Sequence, residues 1–421
     1  MPSRPSSHSL STAMRLILAA FATLLLFAAA LPIVRRLQAD LLAANNPTPE
    51  ALAAAARLDP LNDIYPILLA QAFQDRDQDP RPAWRAAITI NPRRPLSLTQ
   101  AAIANELAGD PRAAEQLLLQ AARFNQLWLP RWSLANFYAR TSNPSKTLRW
   151  AQLAFERSYG DRTALFRLCL NAGASPEDIL DHVLPRSPAN LAGFTHFFAA
   201  DPASPPQTLH RAASLHLASH SPHPLPATLH AINALIAARQ PALALDLWSQ
   251  LSALQLLPYP PRTPSAPLVN PAFLLPLEGR GFDWSVPQIP GVESTPGVPT
   301  RGIKFLFSGI QPESTTLLQQ TLVLEGARDW TLAFSCQTIQ IESAANGLSW
   351  SLTPLGSNEP LPSSSAPNLT ADDWTPYSIT WQLPPGQSLY VLSLDLRRLS
   401  GHTRIEGEAR FRDLQLREAR P

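Results

Sequence analysis

ALAAAARLDP (residues 51–60), AWRAAITINP (83–92) and LLLQAARFNQ (117–126) are three versions of one sequence pattern. The residue before the last position is Asp59, Asn91 or Asn125, so the pattern returns after 32 and then 34 residues. Each version places apolar residues three or four positions apart, which is typical of an amphipathic helix. A helical pattern with a period of about this length predicts an α-solenoid, in which stacked helical hairpins share one continuous core.

The pattern resembles the tetratricopeptide repeat, a helix–turn–helix unit of about 34 residues. Ala114 and Ala121 stand where that family packs one helix against the next, and Trp132, Phe137 and Tyr138 supply the large residues. We count three clear units in residues 41–160 and expect repeat-like helices over 41–257. The resemblance implies a concave groove that binds a peptide or a partner protein.

Prolines and tryptophans give further expectations for this helical half. A helix accepts proline only in its first turn, so an Asp-Pro or Asn-Pro pair predicts a cap followed by a helix start. These pairs are Asp59-Pro60, Asp79-Pro80, Asn91-Pro92 and Asp110-Pro111. Four tryptophans are expected in the core, namely Trp84, Trp132, Trp150 and Trp248. His216 and His220 share a helix face, but without a nearby carboxylate or cysteine we expect surface histidines rather than a metal site.

Residues 16–34, LILAAFATLLLFAAALPIV, contain no charge and would span about 28 Å as a helix. That is close to the hydrocarbon thickness of a bilayer, about 30 Å. We predict a transmembrane anchor at 15–36 after a cytoplasmic tail at 1–14; a cleaved signal peptide with its apolar region at 16–27 is the alternative. Either interpretation puts most of the chain outside the cytoplasm, and the anchor would hold it at the inner membrane.

Residues 258–267 are rich in proline and predict a stiff linker. After them the helical pattern gives way to a different one. Eight segments then show the alternation of β-strands between clusters of Gly, Pro, Ser and Asn. They lie at 281–286, 303–309, 317–324, 330–337, 348–353, 377–383, 389–397 and 409–416. This pattern predicts an antiparallel β-sandwich over residues 268–421, with Trp330, Leu332 and Phe334 on one face of a strand.

The sandwich region resembles carbohydrate-binding modules with a galactose-binding-like jelly roll. The resemblance rests on NPAF at 270–273, GFDW at 281–284 and FRDL at 411–414, in that order. Anchor, repeats and jelly roll together resemble envelope proteins of bacterial polysaccharide assembly, which implies contact with a glycan rather than its cleavage. The family often holds a structural Ca²⁺, for which Asp413 is the candidate ligand, although Arg412 replaces the usual second acid.

Sugar-binding sites combine aromatic rings with hydrogen-bonding groups, because a ring stacks on the apolar face of a pyranose. The candidate residues are Trp284, Trp350 and Trp374, with Asp372 and Asp373 beside the last of them. Trp330 and Trp381 are expected in the sandwich core.

Other functions find little support in the sequence. Charged residues make up 16% of the 421 residues and the net charge is +2, without the concentrated basic face that nucleic-acid binding needs. No metalloprotease, nucleophile-elbow or phosphate-loop motif occurs. We therefore expect a non-catalytic scaffold with no bound cofactor. The alternatives are a scaffold whose sandwich is purely structural, and a degenerate glycoside hydrolase that would use paired acids such as Asp372 and Asp373.

Overall fold

A computed structural model describes residues 12–45, 47–260, 262–263, 266–297, 301–341, 347–364, 369–398 and 404–419. Most of the predicted tail at 1–14 therefore lies outside the described residues. The chain forms two compact units, Met1–Gly160 with Arg167–Gly173, and Asp161–Phe166 with Ala174–Pro421. These units divide the chain differently from the predicted boundary at 258–267, because the later helices group with the sandwich.

All the regular secondary structure described in the first unit is α-helical. Its helices are α1 (Thr12–Asn45), α2 (Pro49–Leu58), α3 (Ile64–Gln74), α4 (Arg81–Ile90), α5 (Pro95–Leu107), α6 (Pro111–Phe124), α7 (Trp128–Arg140) and α8 (Pro144–Phe155). Consecutive helices pack as hairpins, so the predicted α-solenoid is confirmed.

The repeated acidic or amide residue ends the second helix of each hairpin. Asp59, Asn91 and Asn125 are the C-caps of α2, α4 and α6. The backbone N–H of each donates to an alanine carbonyl four residues earlier, at 2.9–3.1 Å. Those alanines (Ala55, Ala87 and Ala121) have no exposed surface. In each repeat, therefore, a buried alanine lies four residues before the residue at which the helix ends.

Of the four Asp-Pro and Asn-Pro pairs that were predicted to cap the start of a helix, only one does so. Asp110 does cap α6, accepting a hydrogen bond of 3.0 Å from the backbone N–H of Ala113. Asp59 and Asn91 instead end helices, and the N-cap of α4 is Pro80 rather than Asp79. The error arises because Asp and Asn are short polar residues that suit both ends of a helix.

Helix α1 contains the apolar segment and continues into the first hairpin without a break. It is the one helix in the described part of the chain that is long and apolar enough to cross a membrane. A signal sequence would have the same length and composition. Its apolar residues from 16 to 34 are exposed, whereas Ala39 is buried against Ala55 and Tyr65. The hydroxyl of Tyr65 donates to Asp40 at 2.7 Å. The predicted anchor and the first repeat thus belong to one helix.

The second unit begins with further helices. They are α10 (Pro176–Asp178), a π-helical turn (Ile179–Val183), α11 (Pro188–Ala199), α12 (Pro206–Ala218), α13 (Leu225–Ala237) and α14 (Pro241–Ala253), while α9 (Thr163–Asn171) contributes to both units. His216 on α12 has no exposed surface, so the expectation of a surface histidine was wrong there. His220 lies beyond the end of α12, because the helix stops at Ala218.

The rest of the second unit is a sandwich of two antiparallel sheets, as predicted. Its strands are β1 (Trp284–Ser285), β2 (Val292–Pro296), β3 (Ile303–Ser308), β4 (Ser314–Val323), β5 (Asp329–Ile339), β6 (Leu348–Pro354), β7 (Thr375–Gln382), β8 (Leu389–Arg397) and β9 (Glu406–Glu418). One sheet has the order β1-β4-β8-β6 and the other β2-β3-β9-β5-β7. Trp330, Leu332 and Phe334 all face the core, and Trp381 joins them.

Tyr259, in the predicted stiff linker at 258–267, packs against neighbouring elements. Tyr259 is buried and stacks on Trp248 of α14 with ring centroids 6.1 Å apart, and Phe282 meets the same indole edge-on at 5.7 Å. The Tyr259 hydroxyl donates to the buried carboxylate of Asp283 at 2.7 Å. Burial raises the pKa of Asp283, against the opposing effect of this hydrogen bond. The aromatic contacts fix α14 against the start of the sandwich.

Candidate binding surfaces

The first unit exposes a cluster of large apolar residues around the start of α7. Trp128 and Trp132 are both half-buried, and their rings stack with centroids 5.6 Å apart and planes 11° apart. Around them, Phe124 is 46% exposed, Leu127 65% and Leu129 46%. We call these five residues the α7 aromatic surface. Trp132 was expected in the core, whereas it is only half-buried and stacks on Trp128, one turn earlier on the same side of the helix.

A polar framework holds this surface in place. Arg131 on α7 is buried and donates to the carbonyl of Leu153 at 2.6 Å and to Glu156 at 2.9 Å, which ties α7 to α8. Tyr138 and Lys146 both donate to Glu115, at 2.6 and 2.9 Å, linking α6, α7 and α8. These hydrogen bonds lower the pKa of Glu115. The stacked tryptophans therefore stand on a rigid base and lose little freedom when a partner covers them.

In the second unit, Trp374 follows a loop that is tied to β5. Thr338 and Ala371 exchange backbone and side-chain hydrogen bonds, of which the shortest is 2.7 Å. Gln337 donates to the carbonyl of Asp372 at 3.1 Å, and the hydroxyl of Tyr377 donates to the carbonyl of Thr370 at 2.9 Å. The carboxylates of Asp372 and Asp373 remain exposed beside a backbone that is already ordered.

The guanidinium of Arg412 covers one face of Trp374, with its Cζ atom 3.9 Å from the ring centroid. The indole is half-buried, so a sugar could stack only on the side away from Arg412. The two exposed carboxylates lie next to it in sequence and could accept hydrogen bonds from sugar hydroxyls. Of the candidate residues for sugar binding, Trp374, Asp372 and Asp373 are the ones that reach the surface.

Trp284 and Trp350 do not join this site. Trp284 has no exposed surface and Trp350 is 4% exposed, and both belong to the core between the sheets. A cleft of about 830 Å³ beside β1 and β2 reaches Trp284 at its floor, but the indole presents no face to it. Because rings packed among Phe273, Phe334 and Phe411 cannot stack on a sugar, we assign both tryptophans to the core.

Asp413 stands at an irregularity in the pairing of β9 with β5 and has a positive φ of 57°. Its side chain is 55% exposed, and the Nε atom of Arg412 lies 3.2 Å from its carboxylate. A guanidinium at that distance repels Ca²⁺, so these residues do not fit the structural ion that the resemblance implied. Among the described residues, no group of three or more His, Cys, Asp or Glu side chains is arranged to hold a metal.

No protein-family model matches the sequence, and no curated protein is significantly similar to it. Solved structures with similar folds include the following three. The carbohydrate-binding module CBM4 is 16% identical over 36% of this chain and 99% of its own, with a TM-score of 0.29. PilF of Pseudomonas aeruginosa is 14% identical over 53% of this chain and 92% of its own, with a TM-score of 0.27. The tetratricopeptide-repeat protein YrrB is 12% identical over 50% of this chain and 94% of its own, with a TM-score of 0.25.

The chain combines an apolar N-terminal helix, stacked helical hairpins and a β-sandwich of two antiparallel sheets.

Proposed function

We propose that this protein is a non-catalytic, single-pass scaffold of the cell envelope that binds a partner protein or peptide through its helical repeats. The α7 aromatic surface is the observation that carries the proposal. Tryptophan is among the residues that contribute most to binding energy at protein interfaces, and contiguous exposed apolar patches mark such interfaces. Two stacked tryptophans on a rigid helix form a binding anchor that needs little reorganisation.

Site-specific photo-crosslinking in intact cells tests this proposal. A photoreactive amino acid replaces Trp128 or Trp132 in the full chain, and the matched control position is Tyr159, which is 84% exposed in the same unit. We expect one discrete adduct from each α7 position and none from position 159. Equal adducts at all three positions, or none at any, would contradict a specific site on α7.

The continuity of α1 supports an uncleaved anchor in the inner membrane, with the repeats and the sandwich on the extracytoplasmic side. Cleavage near residue 30 would remove the exposed apolar part of the same helix whose Ala39 packs into the first hairpin. Carbonate extraction of membranes from cells that carry an N-terminal epitope tag is the test. Tagged full-length protein should remain in the membrane fraction; a soluble chain without the tag would support the signal peptide instead.

A second function is favoured by residues 370–372, which precede Trp374 and are hydrogen-bonded to Gln337, Thr338 and Tyr377. We propose that the sandwich binds a glycan there, in a role in polysaccharide assembly or export. In a glycan-array screen of the detergent-solubilised full chain, Trp374→Ala should weaken binding at least tenfold. Arg417→Ala, an exposed change elsewhere on β9, serves as the control.

The outcomes of that screen separate the remaining alternatives. If no glycan binds the unchanged protein, the sandwich is a structural cap and the α7 aromatic surface remains the site of function. If a polysaccharide is hydrolysed, and Asp372→Asn or Asp373→Asn abolishes the hydrolysis, the protein is a glycoside hydrolase and the non-catalytic proposal fails.

A further inference from the structure

The second unit contains a cavity of about 680 Å³ that neither proposed function uses. It lies between α14, the segment that leads into the sandwich, and the loops at the ends of β4 and β7. Its walls are mostly apolar and include Leu245, Pro267, Val323 and Pro385, with Ser249 and Gln387 as polar members. Small-molecule sites in proteins usually enclose about 300–1,000 Å³ and are lined in this way.

Among the described residues that line this cavity, Arg262 is the one cation. Its guanidinium is largely buried and stacks on Phe282, with Cζ 4.9 Å from the ring centroid. The Nε and Nη1 atoms have no hydrogen-bond partner among the described residues. Burial lowers the pKa of Arg262 to about 10, so the side chain stays charged at neutral pH.

The acid that lines the cavity does not neutralise this charge. Glu325 also borders the cavity, but its carboxylate is 67% exposed and pairs with Arg328 at 2.6 Å. No ion pair joins Arg262 to any described carboxylate. A buried, unpaired guanidinium is destabilising unless a counter-charge and hydrogen-bond acceptors approach it. Because Arg262 lines the cavity, a ligand bound there can supply both the counter-charge and the hydrogen-bond acceptors.

We propose that this cavity binds an organic carboxylate with an apolar body. The carboxylate pairs with Arg262, whose planar guanidinium matches a carboxylate in charge and geometry. The hydrocarbon part lies along Leu245, Val323 and Pro385, which it shields from water. A single negative charge balances the single cation, whereas a dianion would leave a net charge buried in an apolar wall.

The test uses the full chain in lipid nanodiscs, with [1-¹³C]octanoate as the probe and 1-octanol as its uncharged counterpart. Saturable binding is followed by ¹³C NMR of the carboxylate and by ligand-observed saturation transfer, with empty nanodiscs as the blank. We expect octanoate to bind at least tenfold more tightly than octanol. Equal affinity of the two probes, or octanoate uptake no greater than that of empty nanodiscs, would overturn the proposal.

Three variants locate the site. Arg262→Met should weaken octanoate binding at least tenfold without lowering the melting temperature, because it removes a buried charge that pairs with no described carboxylate, and the methionine side chain can still pack on Phe282. Ser249→Trp, a change at an exposed position of α14, should fill the cavity and abolish binding of both probes. Arg328→Gln, which removes the exposed arginine beside the cavity, should leave binding unchanged. A fall in melting temperature for Arg262→Met, or full octanoate binding by either of the first two variants, would contradict the proposal.

Discussion

The buried imidazole of His216 should make the stability of the second unit depend on pH. The residue has no exposed surface, and neither ring nitrogen has a hydrogen-bond partner among the described residues. Burial therefore lowers its pKa below the ordinary value of 6.5. His230 on α13 shifts in the same direction because of burial and the nearby charges of His196 and Arg280.

The sign follows from proton linkage. Below about pH 6.5 the unfolded chain binds a proton at His216 that the folded chain does not, so stability is present above that pH and is lost as the pH falls. For one such group the free energy of unfolding falls by at most about 1.4 kcal/mol per pH unit, down to the folded pKa. His216→Leu should remove this contribution and leave the one from His230.

Hydrogen exchange measures this dependence in the second unit without assuming that the two units unfold together. The free energy of opening in peptides of α12 and α13 is compared at pH 7.0 and 5.5 for the unchanged protein, His216→Leu and the control His220→Leu. Between pH 7.0 and 5.5 we expect His216 to account for a loss of at most about 1.3 kcal/mol, which His216→Leu removes and His220→Leu does not. An unchanged pH dependence in that variant would refute the reasoning.

Three further predictions concern packing and capping, each checked by hydrogen exchange in the unit concerned. Trp248→Ala should cost about 3–5 kcal/mol of second-unit stability because it empties the junction with Tyr259 and Phe282; a loss under about 1 kcal/mol would show that the junction is not packed. Ala87→Leu should cost about 1–3 kcal/mol, since the added side chain has no room at the helix contact, and a neutral result would contradict the role of the repeated alanine. Asp110→Ala should cost about 1 kcal/mol by removing the cap of α6, with the loss concentrated at the start of that helix.

The repeats could be predicted because their signal is local and periodic. Asp59, Asn91 and Asn125 return at nearly constant spacing, and each follows a buried alanine by four residues. Most strands were predicted for the same reason, through alternation of apolar residues. β2 was missed because Val292–Pro296 is short, ends in proline and has no fully buried residue.

The sites depend on contacts that no local pattern contains. Trp284, Trp350 and Trp374 look alike in sequence, yet two are buried between the sheets and the third stacks on Arg412. Burial of this kind depends on which strand face turns inward. The exposed apolar surface at Trp128 and Trp132 could have been predicted from the sequence. Tryptophans four residues apart lie on one face of a helix, and Trp128 has a leucine on each side in the sequence.

The cavity beside Arg262 could not have been predicted. Its walls come from α14, the segment around residue 262 and two loops that are widely separated along the chain. A proline-rich stretch indicates an extended linker by composition. Here Tyr259 packs on Trp248 and bonds to Asp283, and these long-range contacts override the local preference.

Quantitative affinity isolation of the full chain from its own membranes tests the central claim most directly. The unchanged protein is compared with a Trp128→Ala/Trp132→Ala double variant, and hydrogen exchange of α7 and α8 confirms that the variant is folded. The partner is the protein that crosslinks to position 128 or 132. The account predicts that it copurifies with the unchanged chain and that at least tenfold less of it copurifies with the double variant. Equal retention by a folded variant would show that the repeats do not bind their partner through α7.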